Sequence, residues 1–144
     1  MLRLSVIVFL AISAFGQQVV VPKKCAETGG GILKKLVVSP CTAEPCVMKK
    51  GRNATLTFEY IADQNSTTAV IDARVKAFGM KVPVPGIDTD LCKIISCPVK
   101  EGATYTAQIT VPVPKIPIKK TTLEVKIIGD KGLSSCFTHP LFLK

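Results

Sequence analysis

The sequence is poor in the residues on which enzymes and nucleic-acid-binding proteins depend. It has no tryptophan, two tyrosines and one histidine, His139, which has no acidic residue near it in the chain. A serine nucleophile elbow, a phosphate-binding loop and a dinucleotide fingerprint are all missing. The basic residues are mostly lysine, whereas a nucleic-acid interface favours arginine together with stacking aromatics. These absences argue against an enzyme and against nucleic acid as a partner.

Long apolar runs are also scarce, and the one at the start predicts a signal peptide. Arg3 precedes the apolar run Leu4–Ile12, and Ala14-Phe15-Gly16 offers small residues for cleavage before Gln17. A membrane span needs about 20 apolar residues, which is longer than this run, and no second run follows. We therefore expect residues 1–16 to be a signal peptide and residues 17–144 to form a single secreted domain. An endosomal or lysosomal location is the alternative.

The mature chain is strongly basic. Without Arg3 it has 18 basic and 10 acidic residues, a net charge of about +8. Scattered lysines usually solvate a surface and protect sheet edges from pairing. The functional alternative is weak attraction to anionic lipid head groups. We expect a monomer that makes transient contact with a membrane or a lipid-transfer receptor.

The six cysteines predict disulfides. Six cysteines allow 15 pairings, and their spacing makes one pairing the simplest: Cys25–Cys136, Cys41–Cys46 and Cys92–Cys97. Zinc is the alternative, because four of the cysteines form two Cys-x4-Cys pairs. A secretory signal favours disulfides over metal, so we expect no metal and no cofactor.

Apolar residues alternate with polar ones along several short segments, and no segment has a helical period. The predicted strands are Ile32–Val38, Asn53–Ala62, Ala69–Phe78, Tyr105–Val113, Leu123–Ile128 and Leu133–Phe137. Strands at this spacing predict an all-β sandwich. We expect the second and third strands to form a hairpin through Asp63–Thr68, and the last two to form one through Gly129–Gly132. Leu141–Lys144 is expected to complete an edge.

Two strands end in the same tetrapeptide, Val-Pro-Val-Pro, at Val82–Pro85 and Val111–Pro114. Proline cannot donate a ladder hydrogen bond, so it favours strand ends and sheet edges. The inward residues include several alanines, and small inward residues leave room between sheets: Ala54, Ala73, Ala77 and Ala107. We therefore predict a lipid-sized cavity with both tetrapeptides near its mouth. The alternatives are ordinary edge strands and a filled core.

Two glycosylation sequons occur, at Asn53 and Asn65. Asn65 lies in the predicted turn, where a glycan is accessible, and Asn53 opens a predicted strand.

The order of these motifs resembles the ML-domain lipid-recognition family, in the branch of the Niemann–Pick type C cholesterol carrier and the mite group-two allergens. The resemblance rests on a set of motifs that spans the mature chain: Ser39-Pro40-Cys41, Pro45-Cys46, Lys50-Gly51, Val82–Pro85, Cys92, Cys97-Pro98 and Cys136. It implies an immunoglobulin-like β-sandwich with an apolar cavity between its sheets, and the same nested disulfide pairing.

The resemblance also implies where a ligand binds. The residues of the expected ligand pocket are Phe58, Tyr60, Val75, Met80, Val82, Val84, Tyr105, Ile109, Val113 and Ile116. The mouth positions carry over to Gly86, Val113 and Ile116. Gly86 and Ile116 replace aromatics of the cholesterol carrier, which favours a fatty acid or another slim apolar ligand over cholesterol.

The function expected from these observations is a secreted, non-enzymatic carrier of a sterol, fatty acid or semiochemical-like lipid. The alternative is innate-immune recognition of a bacterial glycolipid that is presented to a receptor. In that case Lys119 and Lys120, close to the expected mouth, would hold its phosphates.

Overall fold

The computed structural model describes residues 18–20, 23–25, 29–41 and 46–144. The predicted signal peptide lies outside the described residues. The strands, in chain order, are β1 Gln18–Val20, β2 Lys23–Lys24, β3 Ile32–Ser39, β4 Cys46–Met48, β5 Asn53–Ile61, β6 Val70–Ala77, β7 Met80–Pro83, β8 Thr104–Pro112, β9 Lys120–Gly129 and β10 Gly132–Leu143. A short 3-10 helix, Leu91–Lys93, follows β7, and Asp90 caps it by accepting a hydrogen bond from the Cys92 N–H.

The strands form two sheets that enclose one apolar core. The first sheet has the order β1-β3-β5-β8, and the second has the order β2-β10-β9-β6-β7 with β4 added beside β10. Neighbouring strands are antiparallel except for β4 and β10, which are parallel. Buried residues alternate with exposed or half-buried ones along β5 and β6, as the period of two predicted. The predicted all-β sandwich is confirmed.

One predicted hairpin is confirmed and the other is wrong. β9 and β10 pair through the turn that starts at Gly129. β5 and β6, predicted to be partners, lie in different sheets: β5 pairs with β3 and β8, and β6 pairs with β7 and β9. Periodicity identifies a half-buried strand but not its neighbour. The polar segment between β5 and β6 therefore crosses from one sheet to the other.

The end of the chain is not a separate edge segment, as the sequence suggested. Leu141–Leu143 continues β10, which pairs with β9 from Gly132 to Phe142. On its other side β10 pairs with β2 at Phe137–Thr138 and with β4 at Leu141–Leu143. Pro140 lies in the gap between these two pairings, where a missing N–H disturbs neither of them.

The two ends of the sandwich are filled differently. Towards the end of β5, Phe58 and Tyr60 pack with Phe137 and Tyr105, with ring centroids 5.8–6.3 Å apart. Towards the start of β5, the core consists of aliphatic side chains. Because the strands are antiparallel, the start of β5 lies beside the ends of β3 and β8. We call this the aliphatic end and the opposite one the aromatic end.

All six cysteines are paired in the predicted way. The structure contains the disulfides Cys25–Cys136, Cys41–Cys46 and Cys92–Cys97. The first joins residues 111 positions apart and attaches the start of the chain to β10. The other two each close a short loop.

Candidate lipid-binding site

A small internal cavity lies between the sheets at the aliphatic end. Its volume is about 30 Å³. Its walls come from both sheets and from the segment after β8: Leu36, Val38, Met48, Ala54, Leu56, Val75, Val84, Val111, Val113, Pro114, Leu123, His139, Leu141 and Leu143. Except for His139, every one of these side chains is apolar, so the space suits apolar matter rather than water.

The cavity is far smaller than the lipid-sized space that the sequence predicted. Pockets for small ligands usually have a volume of several hundred Å³, whereas this one would hold about one water molecule. The small inward residues are matched by large neighbours: Ala107 lies in register with Phe58, and Ala54 shares the cavity wall with Leu56 and Met48. The core is therefore nearly filled in this structure.

The predicted pocket residues fall into three groups. Val75, Val84 and Val113 line the cavity. Phe58, Tyr60 and Ile109 are buried in the core outside its walls, and Tyr105 and Ile116 are half-buried against that core. Burial raises the pKa of Tyr60 to about 12, with smaller contributions from Tyr105 and Asp63, so its hydroxyl stays neutral. The third group, Met80 and Val82, lies outside the core altogether.

The placement of Met80 and Val82 corrects the prediction for these two residues. They belong to β7, the edge strand of the second sheet, whose four residues are all exposed. Met80 is 67% exposed and Val82 is 39% exposed. An edge strand has a neighbour on one side only, and here the other sheet does not cover it. Val84, just after β7, is the first residue of this segment to turn inward.

The backbone at Gly86 favours glycine over any larger residue. Gly86 has φ +81°, which side chains of L-residues rarely adopt, and a Cβ there would lie 3.1 Å from Cγ of Pro112. A larger residue would therefore strain this turn. Gly86 keeps the segment after β7 close to the end of β8.

Most of the wall residues could not be identified as a site from the sequence. Val38, Leu56 and Leu123 point inward on their strands, but so do many core residues. Met48 lies on a three-residue strand, and His139 is a lone histidine with no acidic residue near it in the chain. No local signal separates the walls of a cavity from the rest of an aliphatic core.

Two surface grooves adjoin the cavity. The first shares Met48 and Val113 with the cavity, has a volume of about 550 Å³, and is lined by Pro40, Cys41, Val47, Met48, Lys49, Arg52, Asn53, Val113 and Lys144. The second shares His139 and Leu141 with the cavity, and is lined by Lys120, Thr121, Thr122, His139, Pro140, Leu141 and Phe142. In the second groove, the Lys120 ammonium lies 5.3 Å from the centre of the Phe142 ring. We call them the Met48 groove and the His139 groove.

The aromatic end is closed by a network of hydrogen bonds. The Asp130 carboxylate accepts hydrogen bonds from the Thr67 N–H, the Thr67 hydroxyl and the Thr68 hydroxyl at 2.6–2.7 Å. These bonds lower the pKa of Asp130 from 3.8 to about 2, the Thr68 hydroxyl contributing most. The Asp63 carboxylate accepts from the Ser134 hydroxyl at 2.6 Å and from the Gly30 N–H at 2.9 Å. The Asp63 network joins the residues after β5 in the first sheet to β10 in the second, and the Asp130 network joins two loops of the same end.

Both sequon asparagines are exposed. The side-chain oxygen of Asn65 accepts a hydrogen bond from the Glu101 N–H at 2.9 Å, and its amide nitrogen is the atom that a glycan would modify. Asn53 begins β5 and lines the Met48 groove.

Glu124 is the acidic residue that lies beside Cys25 and Cys136 among the described residues. The two sulfurs are joined as a disulfide, so they offer no thiolate to a metal. Within the same part of the chain, no helix is long and apolar enough to cross a membrane.

The fold and its interior define a disulfide-linked β-sandwich whose core between the two sheets is aliphatic at one end. A family model described as the ML domain matches residues 20–143. The mite group 2 allergen Der f 2 of Dermatophagoides farinae is 37% identical over 117 residues, covering 79% of this chain and 78% of the relative. For Pso o 2 of Psoroptes ovis, the identity is 34% over 114 residues, with coverages of 78% and 80%. The chain belongs to the ML-domain family.

A solved structure agrees with this fold. The Niemann-Pick type C2 protein from Japanese carpenter ant superposes with a TM-score of 0.76 at 18% sequence identity. The match covers 87% of this chain and 100% of the ant protein.

Proposed function

We propose that the protein is a secreted, non-enzymatic carrier that binds a hydrophobic lipid between its sheets at the aliphatic end. The observation that carries this proposal is the cavity wall, which is apolar except for His139 and is built from both sheets. Membership of the ML-domain family supports it. The signal peptide predicted for residues 1–16 supports secretion, and the two exposed sequon asparagines are the proposed glycan sites.

A ligand would have to enlarge the cavity, because about 30 Å³ cannot hold a lipid chain. Side chains such as Met48, Leu141 and Leu143 would move aside while the hydrogen-bonded aromatic end stays closed. Burial of apolar area favours this exchange by about 0.8 kcal/mol for each methylene group of the ligand. A chain of about ten methylene groups would thus supply roughly 8 kcal/mol against the association cost and the lost contacts between the sheets.

The test is a titration of the delipidated protein with a fluorescent sterol and a fluorescent fatty acid. We expect saturable binding of at least one probe. Val113→Asp should weaken that binding at least tenfold, since it places a charge in the apolar wall. Ile94→Asp is the control, because Ile94 is 45% exposed, directly follows the short 3-10 helix and is not part of the cavity wall. Absence of saturable binding by the unmodified protein would reject the carrier and favour a structural domain with a filled core.

Recognition of a bacterial glycolipid is the second candidate. It is favoured by Lys120, which lines a groove that shares His139 and Leu141 with the cavity. Phosphates held by Lys119 and Lys120 would make binding fall steeply as salt is added. Affinity that is independent of salt favours the carrier.

A transient membrane contact is proposed for the tip of the β6–β7 hairpin. Phe78 is 74% exposed at this tip, next to the exposed Met80, and Lys76 and Lys81 flank both residues. Apolar side chains bordered by lysines are suited to the surface of an anionic bilayer. The tip follows the end of β6, so it lies at the same end of the sandwich as the cavity.

A further inference from the structure

The Met48 groove combines access to the cavity with a concentration of positive charge. Met48 and Val113 line both the cavity and this groove. Met48 is 2% exposed and Val113 is 7% exposed, so these two side chains form a thin apolar partition. A ligand chain that displaced them would extend from the cavity directly into the groove.

The backbone attaches the basic residues of the groove to this partition. The Val113 N–H donates to the Arg52 carbonyl at 2.8 Å, and the Val113 carbonyl accepts from the Gly51 N–H at 3.0 Å. The Arg52 N–H donates to the Lys49 carbonyl at 3.1 Å, which closes the turn between β4 and β5. Lys49 and Arg52 are therefore held at a fixed distance from the cavity wall.

The side-chain charges that line the groove are of one sign in the part of the chain that the structure describes. Lys49, Arg52 and Lys144 all line it. The side chain of Lys115 lies over Gly51 in the same turn. The ion pairs recorded between described residues use other acids: Asp72, Asp88 and Glu124. Three cationic side chains, with no Asp or Glu side chain among the lining residues, make a site suited to an anion.

We propose that the Met48 groove binds the anionic head group of the ligand while its apolar chain occupies the enlarged cavity. The ligand class is then a single-chain amphiphile with a carboxylate or another small anion at one end. This inference rests on the proposed carrier function and narrows its ligand. Arg52 offers a planar pair of donors for a carboxylate, and Lys49 adds a second charge.

The His139 groove provides the comparison that tests this assignment. It adjoins the same cavity but carries Lys120 as its lining cation, and this lysine lies over the Phe142 ring. Two double variants each remove two positive charges beside the same cavity. Lys49→Gln/Arg52→Gln removes them at the Met48 groove, and Lys119→Gln/Lys120→Gln removes them at the His139 groove. All four residues are exposed, so both variants should fold, and their melting temperatures will verify this.

The experiment compares oleate with oleyl alcohol, which has the same chain but no charge, in displacement titrations at neutral pH. We expect the unmodified protein to prefer oleate, and Lys49→Gln/Arg52→Gln to lower oleate affinity roughly tenfold with little change for the alcohol. Lys119→Gln/Lys120→Gln should keep the preference.

Four results would overturn the proposal. If Lys49→Gln/Arg52→Gln retains the preference for oleate, the head group is not in the Met48 groove. If the preference is lost in Lys119→Gln/Lys120→Gln instead, the head group lies in the His139 groove. If the unmodified protein binds both probes equally, the ligand class is wrong while the carrier stands. Failure to bind either probe rejects the carrier and this inference together.

Discussion

Asp130 illustrates how a single exposed residue joins two loops that are distant in the sequence. Its carboxylate accepts three hydrogen bonds from Thr67 and Thr68, in the segment that crosses from β5 to β6. Asp130 itself lies in the turn between β9 and β10, so the bonds link two loops at the aromatic end. The sequence marked both loops as turns but did not indicate that they touch.

The pH dependence of stability should report on these bonds. The pKa of Asp130 is lowered in the folded protein to about 2, so its contribution is present above about pH 4 and is lost as the pH falls towards 2. Asp130→Asn should lower the melting temperature at pH 7, because an amide cannot accept all three bonds. The variant should also lose less stability than the unmodified protein between pH 4 and pH 2. Melting curves of both proteins measure this, with Glu101→Gln as an exposed control. Equal melting temperatures at pH 7 would contradict the role of Asp130.

At the scale of elements, the β6–β7 hairpin has a turn whose sequence does not suit its backbone. Phe78 has φ 54° and Gly79 has φ 73°. A two-residue turn with positive φ at both positions favours Asn-Gly, and a phenylalanine there is strained. Its side chain is 74% exposed and therefore gains little from the core. A strained, exposed aromatic residue fits a contact surface better than a structural role.

Phe78→Asn should show whether Phe78 serves as a contact surface or has a structural role. We expect the free energy of unfolding to rise by about 1 kcal/mol, because asparagine tolerates the left-handed conformation. If the tip contacts membranes, binding to vesicles that contain anionic phospholipid should fall in the same variant. Ile94→Asn removes another exposed apolar residue, 45% exposed, elsewhere on the surface and should leave vesicle binding unchanged. An equal loss in both variants would argue against a specific tip contact.

For the whole molecule, the distribution of disulfides matters more than their number. Cys25–Cys136 joins residues 111 positions apart, whereas Cys92–Cys97 joins residues five apart. In the chain-entropy model, the long link restricts the unfolded chain far more than the short one.

Removing each disulfide by paired Cys→Ala substitution should give unequal losses. We expect the loss of Cys25–Cys136 to lower the free energy of unfolding by about 4–5 kcal/mol, and the loss of Cys92–Cys97 by about 2 kcal/mol. Denaturant titrations of the two variants measure the difference. Equal losses would mean that the native contacts of the bridges outweigh their effect on the unfolded chain.

Much of the fold could be predicted because its signals are local. Alternation along Asn53–Ala62 and Tyr105–Val113 predicted β5 and β8 to within a residue or two, and the order of the cysteines agreed with the three disulfides. The pairing of β5 and β6 could not be predicted in this way. Strands with one buried face satisfy the same pattern in either sheet, and a polar connection of six residues fits a hairpin as well as a crossover.

The candidate site was only partly predictable. Val75, Val84 and Val113 were expected at the cavity and line it, because their strands or Pro-bearing segments end near its mouth. Met80 and Val82 were expected there too, but an edge strand leaves them exposed. The size of the cavity depends on which side chains come together in the core, both within a sheet, such as Ala107 beside Phe58, and between the sheets, and no local pattern reports such contacts.

By itself the sequence determined the class of the protein: an all-β, disulfide-bonded chain without the motifs of an enzyme. Composition, period and spacing are properties of neighbouring residues, and they are sufficient for that conclusion. Only the tertiary structure decided that Met48 and Val113 separate a nearly filled interior from a groove lined by Lys49 and Arg52. These residues come from β4, the following turn and the segment after β8, and they meet because long-range backbone hydrogen bonds bring those segments together.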